Sequence, residues 1–481
     1  MDRLNLQVDS SSDDIIADLQ LLIRQPSVSA VKKGLVECAS VVASIMRKAG
    51  ITTEIMQLYN KTEGIDSASN SNSDSYADDP PPLVYGEVKS KANPNGKTIL
   101  FYNHYDVQPV DPIELWNADP FSGRVEDNYI YGRGAADDKG ELITRIKVVE
   151  YYLKKTGDVP CNIKFLIEGE EEIGSLHLKE YLTAYKKKFE CDAVIWEGGF
   201  IDSKERPIIS LGQKGILSVE LIAKGPSMDA HSSLAVLIDN PAWHLIRVLN
   251  TMRDKNGRIL INDWYKEVRE FTSEELSMIE NEPFDENALK KEHGIESFLN
   301  NVAGFEAKKA FEGEPSCNIC GLVAGYSGEG AKTVLPFKAV AKLDFRLVPD
   351  MIPELQLERL KKHLQEHGYG NHRYDGRNES GNNIEIKFLD GEPAARTTIN
   401  HPFVNVVKEA AIETYGGAII NVSSAGTGPM YYFHDILKVP CVCVGGSDIF
   451  NRVHSPNESM RIDRLIKTIK WIGAILEKAK Y

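Results

Sequence analysis

The chain has 481 residues, 42% of them hydrophobic and 26% charged; these are the proportions of an ordinary globular protein, and the length exceeds what one core normally supports, so two domains are expected. A net charge of −14 argues against nucleic acid as a partner, because phosphate backbones are bound by lysine and arginine. No apolar run reaches the roughly 18 residues needed to cross a membrane, and the start MDRLNLQVDSSSDDIIADLQ lacks the basic and apolar regions of a secretory signal, so a cytoplasmic location is expected.

Seven cysteines, Cys38, Cys161, Cys191, Cys317, Cys320, Cys441 and Cys443, are scattered, odd in number and mostly set in apolar runs, which suits reduced thiols. Cys317 and Cys320 form a lone CxxC without a second pair, and packing explains it better than zinc or redox chemistry.

Helical periodicity covers residues 12–24 and 32–49, the first helix opening behind a Ser/Asp cluster and ending before Pro26. Residues 61–82 turn to Ser, Asn, Asp and Pro and are expected to form an exposed loop. Residues 98–138 then carry the first chemistry. Their apolar run at 99–102 reads as a buried strand that delivers His104 and Asp106 at its C-terminal end, where open α/β sheets keep ligand sites. A metal-bound imidazole is usually oriented by a carboxylate or carbonyl, although His-x-Asp alone reads more readily as a hydrogen-bonded loop histidine.

Gly132-Arg133-Gly134-Ala135-Ala136-Asp137-Asp138-Lys139-Gly140 leads into an amphipathic helix reaching about residue 155. A Gly-rich turn at a helix start can cradle phosphate, but two aspartates in it would repel an anion and suit a cation. The next strand, 162–167, ends in Glu168, Glu170, Glu171 and Glu172 ahead of a helix over 176–188. Taken alone, these glutamates fit a solvated helix cap equally well. A third strand, 193–196, ends in Glu197. Strands alternating with helices, each ending in a carboxylate or histidine, define an α/β sheet with one acidic rim.

Beyond Gly212 the pattern changes to strands at 216–224, 338–348 and 384–388, helices at 240–254 and 353–367, and a charged, largely helical excursion over 261–311. That order suggests a two-layer α+β domain, taken as residues 212–389 inserted between catalytic parts 1–211 and 390–481. The last part brings a helix at 403–414, a buried strand at 439–444, then His454 with Glu458 nearby, and a terminal amphipathic helix at 462–478. The strand leading to a histidine repeats the first half and is expected to complete the same site.

Collected, the strand-end groups are His104, Asp106, Asp137, one or more of Glu170, Glu171 and Glu172, Glu197 and His454. Two imidazoles with several carboxylates and no thiolate suit zinc, with manganese or cobalt as alternatives. The supply is enough for two ions sharing an aspartate.

The runs NHYDVQPVDPIELWNADPF and YGRGAADDKG, followed in order by the glutamate and histidine motifs, resemble the co-catalytic metallopeptidase family. That family includes carnosine dipeptidases, the yeast Cys-Gly dipeptidase, glutamate carboxypeptidase, aminoacylase, and the bacterial acetylornithine and succinyl-diaminopimelate deacylases. The resemblance spans nearly the whole chain and is greatest to the dipeptidase branch. It implies an α/β zinc-peptidase-like catalytic domain with a mixed, largely parallel sheet, and an inserted α+β two-layer lid that serves dimerisation.

The resemblance further implies that His104 and Glu197 bind one ion, that Glu172 and His454 bind the other, and that Asp137 bridges them. Asp106 would orient His104, and Glu171 would be the general base for a metal-bridging water, a choice made by register against the family's Glu-Gly-x-Glu-Glu-x-Gly-Ser. His231, in Met228-Asp229-Ala230-His231-Ser232, matches the lid histidine that supports the oxyanion. Arg346 matches the arginine that grips a free carboxylate, and Asn318, Gly426 and Thr427 fall near substrate-backbone contacts. The implied reaction is hydrolysis of dipeptides or short peptides with a free C-terminus, and the runner-up is N-acyl amino acid deacylation. A homodimer through the lid is also implied. A non-catalytic relative is disfavoured because every ligand position and Glu171 are present.

Overall fold

The computed structural model describes residues 12–58, 80–369 and 384–480; the loop expected at 61–82 lies outside them except for its last three residues. The chain divides into two compact units. The first comprises Met1–Leu211, Thr397–Asn421 and Tyr432–Tyr481, and the second Gly212–Arg396 with Val422–Tyr431. The second unit extends past residue 389 because the strand Ile384–Glu392 runs through that position and Ala395–Arg396 pairs with Gly212–Gln213.

In the first unit a six-stranded sheet has the order Thr52–Met56, Leu83–Val88, Asn162–Glu168, Thr98–His104, Ala193–Trp196, Cys441–Cys443. The last four run parallel, and the first two join antiparallel. Thr98–His104 lies inside the sheet with every residue after Thr98 buried, which is why it reads as an unbroken apolar run rather than an alternation. Its register places His104 opposite Glu168, so two chemistry-bearing strand ends meet at one rim.

The helix Lys139–Thr156 is buried through most of its length, and its charges are paired: Arg145 with Glu141, and Lys147 with both Asp18 and Glu150. Buried charges persist only with such partners. The terminal helix Ile462–Ala479 packs on it and on Pro402–Tyr415, and Trp471 Nε1 donates to the Val407 carbonyl at 3.2 Å. The helix expected at 176–188 is interrupted at Tyr185, leaving Leu178–Ala184 and Lys186–Phe189.

In the second unit an antiparallel sheet runs in the order Ser316–Ala324, Lys338–Leu347, Gly215–Lys224, Ile384–Glu392. Gly215–Lys224 alternates buried and half-buried residues, as expected of a strand with one covered face. Helices Pro241–Met252 and Pro353–Glu366 cover that face, and Leu217, Val219, Leu221, Leu245, Phe345 and Leu360 join in one core. The helical excursion resolves into Ser273–Asn281, opened by a Thr272/Glu275 capping box, then Glu286–Glu292 and Gly304–Gly313. Ser316–Ala324 was not expected to be a strand; it is an edge strand exposed on both faces, so it lacks the periodicity that marks the others.

Candidate metal centre

The rim of the first unit's sheet gathers all five expected metal ligands. Asp137 sits between the two imidazoles, its Oδ1 3.1 Å from His104 Nε2 and its Oδ2 3.0 Å from His454 Nε2. Glu197 Oε2 lies 3.4 Å from His104 Nε2, and Glu172 Oε2 lies 3.1 Å from His454 Nε2. Two groups of potential ligand atoms result, one of His104, Asp138 and Glu197, the other of Asp137, Glu172 and His454. Asp138 was not among the expected ligands. Its Oδ2 also accepts from Asn103 Nδ2 at 2.7 Å and from the His104 backbone N–H at 3.1 Å, so it ties the strand end to the Gly-rich turn.

The three glutamates that sequence reasoning alone left open take different surroundings. Glu170 is paired with His177 Nδ1 at 2.8 Å and accepts the His177 backbone N–H. Glu172, besides approaching His454, accepts from Gln108 through both the backbone N–H and the side-chain amide. Glu171, between them in sequence, is close enough for its charge to be felt by both His104 and Glu197.

Asp106 is fully buried. His104 Nδ1 faces its backbone carbonyl at 3.0 Å and its carboxylate at 3.3 Å. The same carboxylate accepts the backbone N–H groups of Glu171 and Glu172.

Glu458, noted in the sequence only as a glutamate near His454, is a positioning residue whose role the sequence did not reveal. Fully buried, it accepts from Arg133 at 2.7 Å and from the backbone N–H groups of Gly134, Ala136 and Asp137. Its four donors lie more than 320 positions away in sequence, so no local motif marks it.

Crowded carboxylates set the electrostatics. Burial alone would lower the pKa of His104, but Glu197, Asp106 and Asp137 outweigh it and hold the ring well above its usual range. Hydrogen bonds that the His454 ring donates to the Asp137 and Glu172 carboxylates raise it to about 10. Burial lifts Glu171 and Glu197 well above the carboxylate range, with neighbouring carboxylates adding to it, and lifts Asp138 to about 7. A site this rich in anionic groups favours added positive charge, whether proton or cation. One buried oxygen, Glu197 Oε2, makes no hydrogen bond. That atom and the nitrogen and oxygen donors around it fit divalent cations.

The remaining expected site residues belong to the second unit. His231 is exposed; its Nδ1 accepts the Ser233 backbone N–H at 3.2 Å and lies 2.8 Å from Ser233 Oγ. A backbone N–H can only donate, so the neutral ring carries its proton on Nε2. Arg346 donates from Nη1 to Thr427 Oγ1 at 2.7 Å, which brings two expected substrate contacts together. The Gly426 N–H donates to Ser424 Oγ at 3.2 Å. Asn318 lies on the edge strand in register with Asp344, near Cys320, whose thiol donates to Asp344 at 3.1 Å.

A sheet rim carrying paired imidazole and carboxylate clusters around one shared aspartate defines a metal-dependent hydrolase. The family described as Peptidase family M20/M25/M40 matches residues 100–478, and the chain belongs to it. The Cys-Gly metallodipeptidase dug1 of Schizosaccharomyces pombe is 28% identical over 98% of this chain and 96% of its own length. The human Beta-Ala-His dipeptidase is 28% identical over 83% of this chain and 78% of its own. Among solved structures, the M20 family metallo-carboxypeptidase Sso-CP2 from Sulfolobus solfataricus superposes with a TM-score of 0.84, is 37% identical, and covers 97% of this chain and 99% of its own.

Proposed function

We propose that this protein hydrolyses dipeptides or short peptides at the amide bond beside a free C-terminal carboxylate. The observation that carries the reading is the division of the Asp137 carboxylate between His104 and His454, with Glu197 and Glu172 flanking them and Glu171 close enough for its charge to act on His104 and Glu197. The similar proteins support it, since their names are those of dipeptidases and a carboxypeptidase.

In this reading His104 and Glu197 hold one divalent ion, Glu172 and His454 the other, and Asp137 both. Zinc suits the nitrogen and oxygen donors, and manganese and cobalt are compatible with them. When bound, the ions acidify water and stabilise negative charge on oxygen. Glu171 takes a proton from the attacking water as its oxygen bonds to the amide carbon, then passes it to the departing nitrogen as the C–N bond breaks. The Nε2–H of His231 donates to the oxyanion. Arg346, steadied by Thr427, grips the terminal carboxylate through paired hydrogen bonds, and Asn318 and Gly426 contact the substrate backbone.

We assign the protein to the cytoplasm, a reading supported by its seven free cysteines. Its partner is a second copy bound through the second unit. The unpaired edge Ser316–Ala324 supports this, because it exposes Ile319, Leu322 and Val323 beside open backbone groups.

The deciding experiment compares dipeptides, longer peptides and N-acyl amino acids with zinc, manganese and cobalt, with and without chelator. Fastest turnover of a dipeptide, abolished by chelator, is the expected result; faster turnover of N-acyl amino acids would replace the reading with deacylation.

A further inference from the structure

The second unit carries a half-open cavity of about 920 Å³, within the size range of small-molecule sites. Phe271, Phe284 and Phe298 from the helical excursion wall it, and both Arg346 and Lys214 line it. Lys214 immediately precedes the strand Gly215–Lys224 and lies two residues before Ile216, the position paired with Arg346 across the sheet, so the two cations lie near one another along the chain's pairing.

Lys214 is only 6% exposed. Its ammonium donates to the Glu314 carbonyl at 2.7 Å, and no carboxylate lies within ion-pair distance of it among the described residues. An ammonium has three protons to donate, and a buried charge without a counter-ion is costly. Glu314 itself has an exposed side chain. The other nearby carboxyl, Glu312, is pushed by burial and by Glu282 up to about 9, which leaves it neutral at pH 7. Burial brings Lys214 down to about 8 against the opposing charge of Glu314, so at neutral pH it keeps its charge with no carboxylate in direct contact among the described residues.

We propose that this cavity receives the side chain of the substrate's C-terminal residue, and that Lys214 pairs with a carboxylate there, making the enzyme selective for C-terminal aspartate or glutamate. The inference rests on the proposed role of Arg346, which takes the terminal carboxylate while Lys214 takes the second. An acidic amino acid presents both groups on one short carbon chain, and the phenyl walls suit its methylenes.

The test is a comparison of Gly-Glu with Gly-Gln, and of Gly-Asp with Gly-Asn, on the metal-loaded protein and on its Lys214→Met and Lys214→Arg variants. The expected result is a preference of about ten-fold or more in kcat/KM for the acidic member, expressed mainly in KM, as a charged hydrogen bond provides. It should vanish in Lys214→Met and return largely in Lys214→Arg. Equal turnover of acid and amide in the unaltered protein overturns the inference even if Lys214→Met does not fold, and so does an unchanged ratio in Lys214→Met. If no dipeptide is hydrolysed, the proposed function fails instead. Calorimetric binding of L-glutamate against L-glutamine then decides the cavity's role: tighter glutamate binding that is lost in Lys214→Met upholds it, and equal affinities refute it.

Discussion

The Asp106 carboxylate accepts the backbone N–H of Glu171 at 3.2 Å while lying 3.3 Å from His104 Nδ1. One buried side chain thus fixes the imidazole at the end of one strand and the glutamate turn at the end of the next. An asparagine there would turn an N–H toward one of these donors. Asp106→Asn is expected to lower metal affinity or activity by roughly 10–100-fold, read by metal titration and steady-state kinetics on the same preparation.

Glu171→Gln preserves shape and removes the carboxylate proposed as the base. It should retain its metal and lose roughly 10²–10⁴ in kcat. Metal content measured beside turnover separates this outcome from simple loss of the ions, and a rate close to that of the unaltered enzyme would show that another group takes the proton.

Removing Glu458 strands Arg133, which is 1% exposed, and frees three backbone donors of the Asp137 turn. Glu458→Ala is therefore expected to cost about 3–5 kcal/mol of stability, as broken buried ion pairs do. Denaturant unfolding measures it, and a loss below ~1 kcal/mol would mean that water replaces the carboxylate.

Burial, reinforced by His401, holds His434 down to about 4, against an ordinary value of 6.5. The folded state resists protonation, so the unfolded state binds more protons between these values and stability falls as pH drops from 6.5 toward 4. Other carboxylates titrate in the same window, which makes the comparison with His434→Gln decisive. The variant should lose roughly 1–3 kcal/mol less between pH 7 and pH 4.5, measured by urea unfolding at both values. Parallel losses in the two proteins would refute the assignment.

An aspartate at Val323 would place charge on the exposed edge strand. If a second copy pairs there, Val323→Asp should shift sedimentation velocity from dimer to monomer. A dimer of unaltered stability would place the contact elsewhere.

Much of the architecture was legible because its signals are local. The buried run at 99–102 and the alternation at 216–224 each announce their environment through their own residues. Leu83–Val88 was harder to read because Gly86 interrupts it. A Cβ at Gly86 would meet the terminal methyl of Met46 at 2.3 Å and the side chains of Ile51 and Phe165 at 3.0 and 3.2 Å, so the glycine sits where neighbouring side chains pack closely over the strand. At the site, the approximate positions of the glutamates could be read, but their division of labour depends on His177, Gln108 and His454, which folding brings to them. Glu458 stood out only as a glutamate near His454, and its role stayed hidden because a carboxylate that binds backbone amides needs no particular residue types as partners.

Where the chain leaves the first unit and where it returns, Leu211 and Thr397 are already joined, the Thr397 N–H donating to the Leu211 carbonyl at 2.7 Å. The excursion from Gly212 to Arg396 therefore departs from and comes back to one pinch in the backbone, and the chain crosses again only for the short stretch Val422–Tyr431. A short turn could close that pinch, and the metal-binding rim would then be encoded without the intervening stretch. Such a geometry lets the inserted segment be exchanged or rewritten while the scaffold of the rim keeps its connectivity.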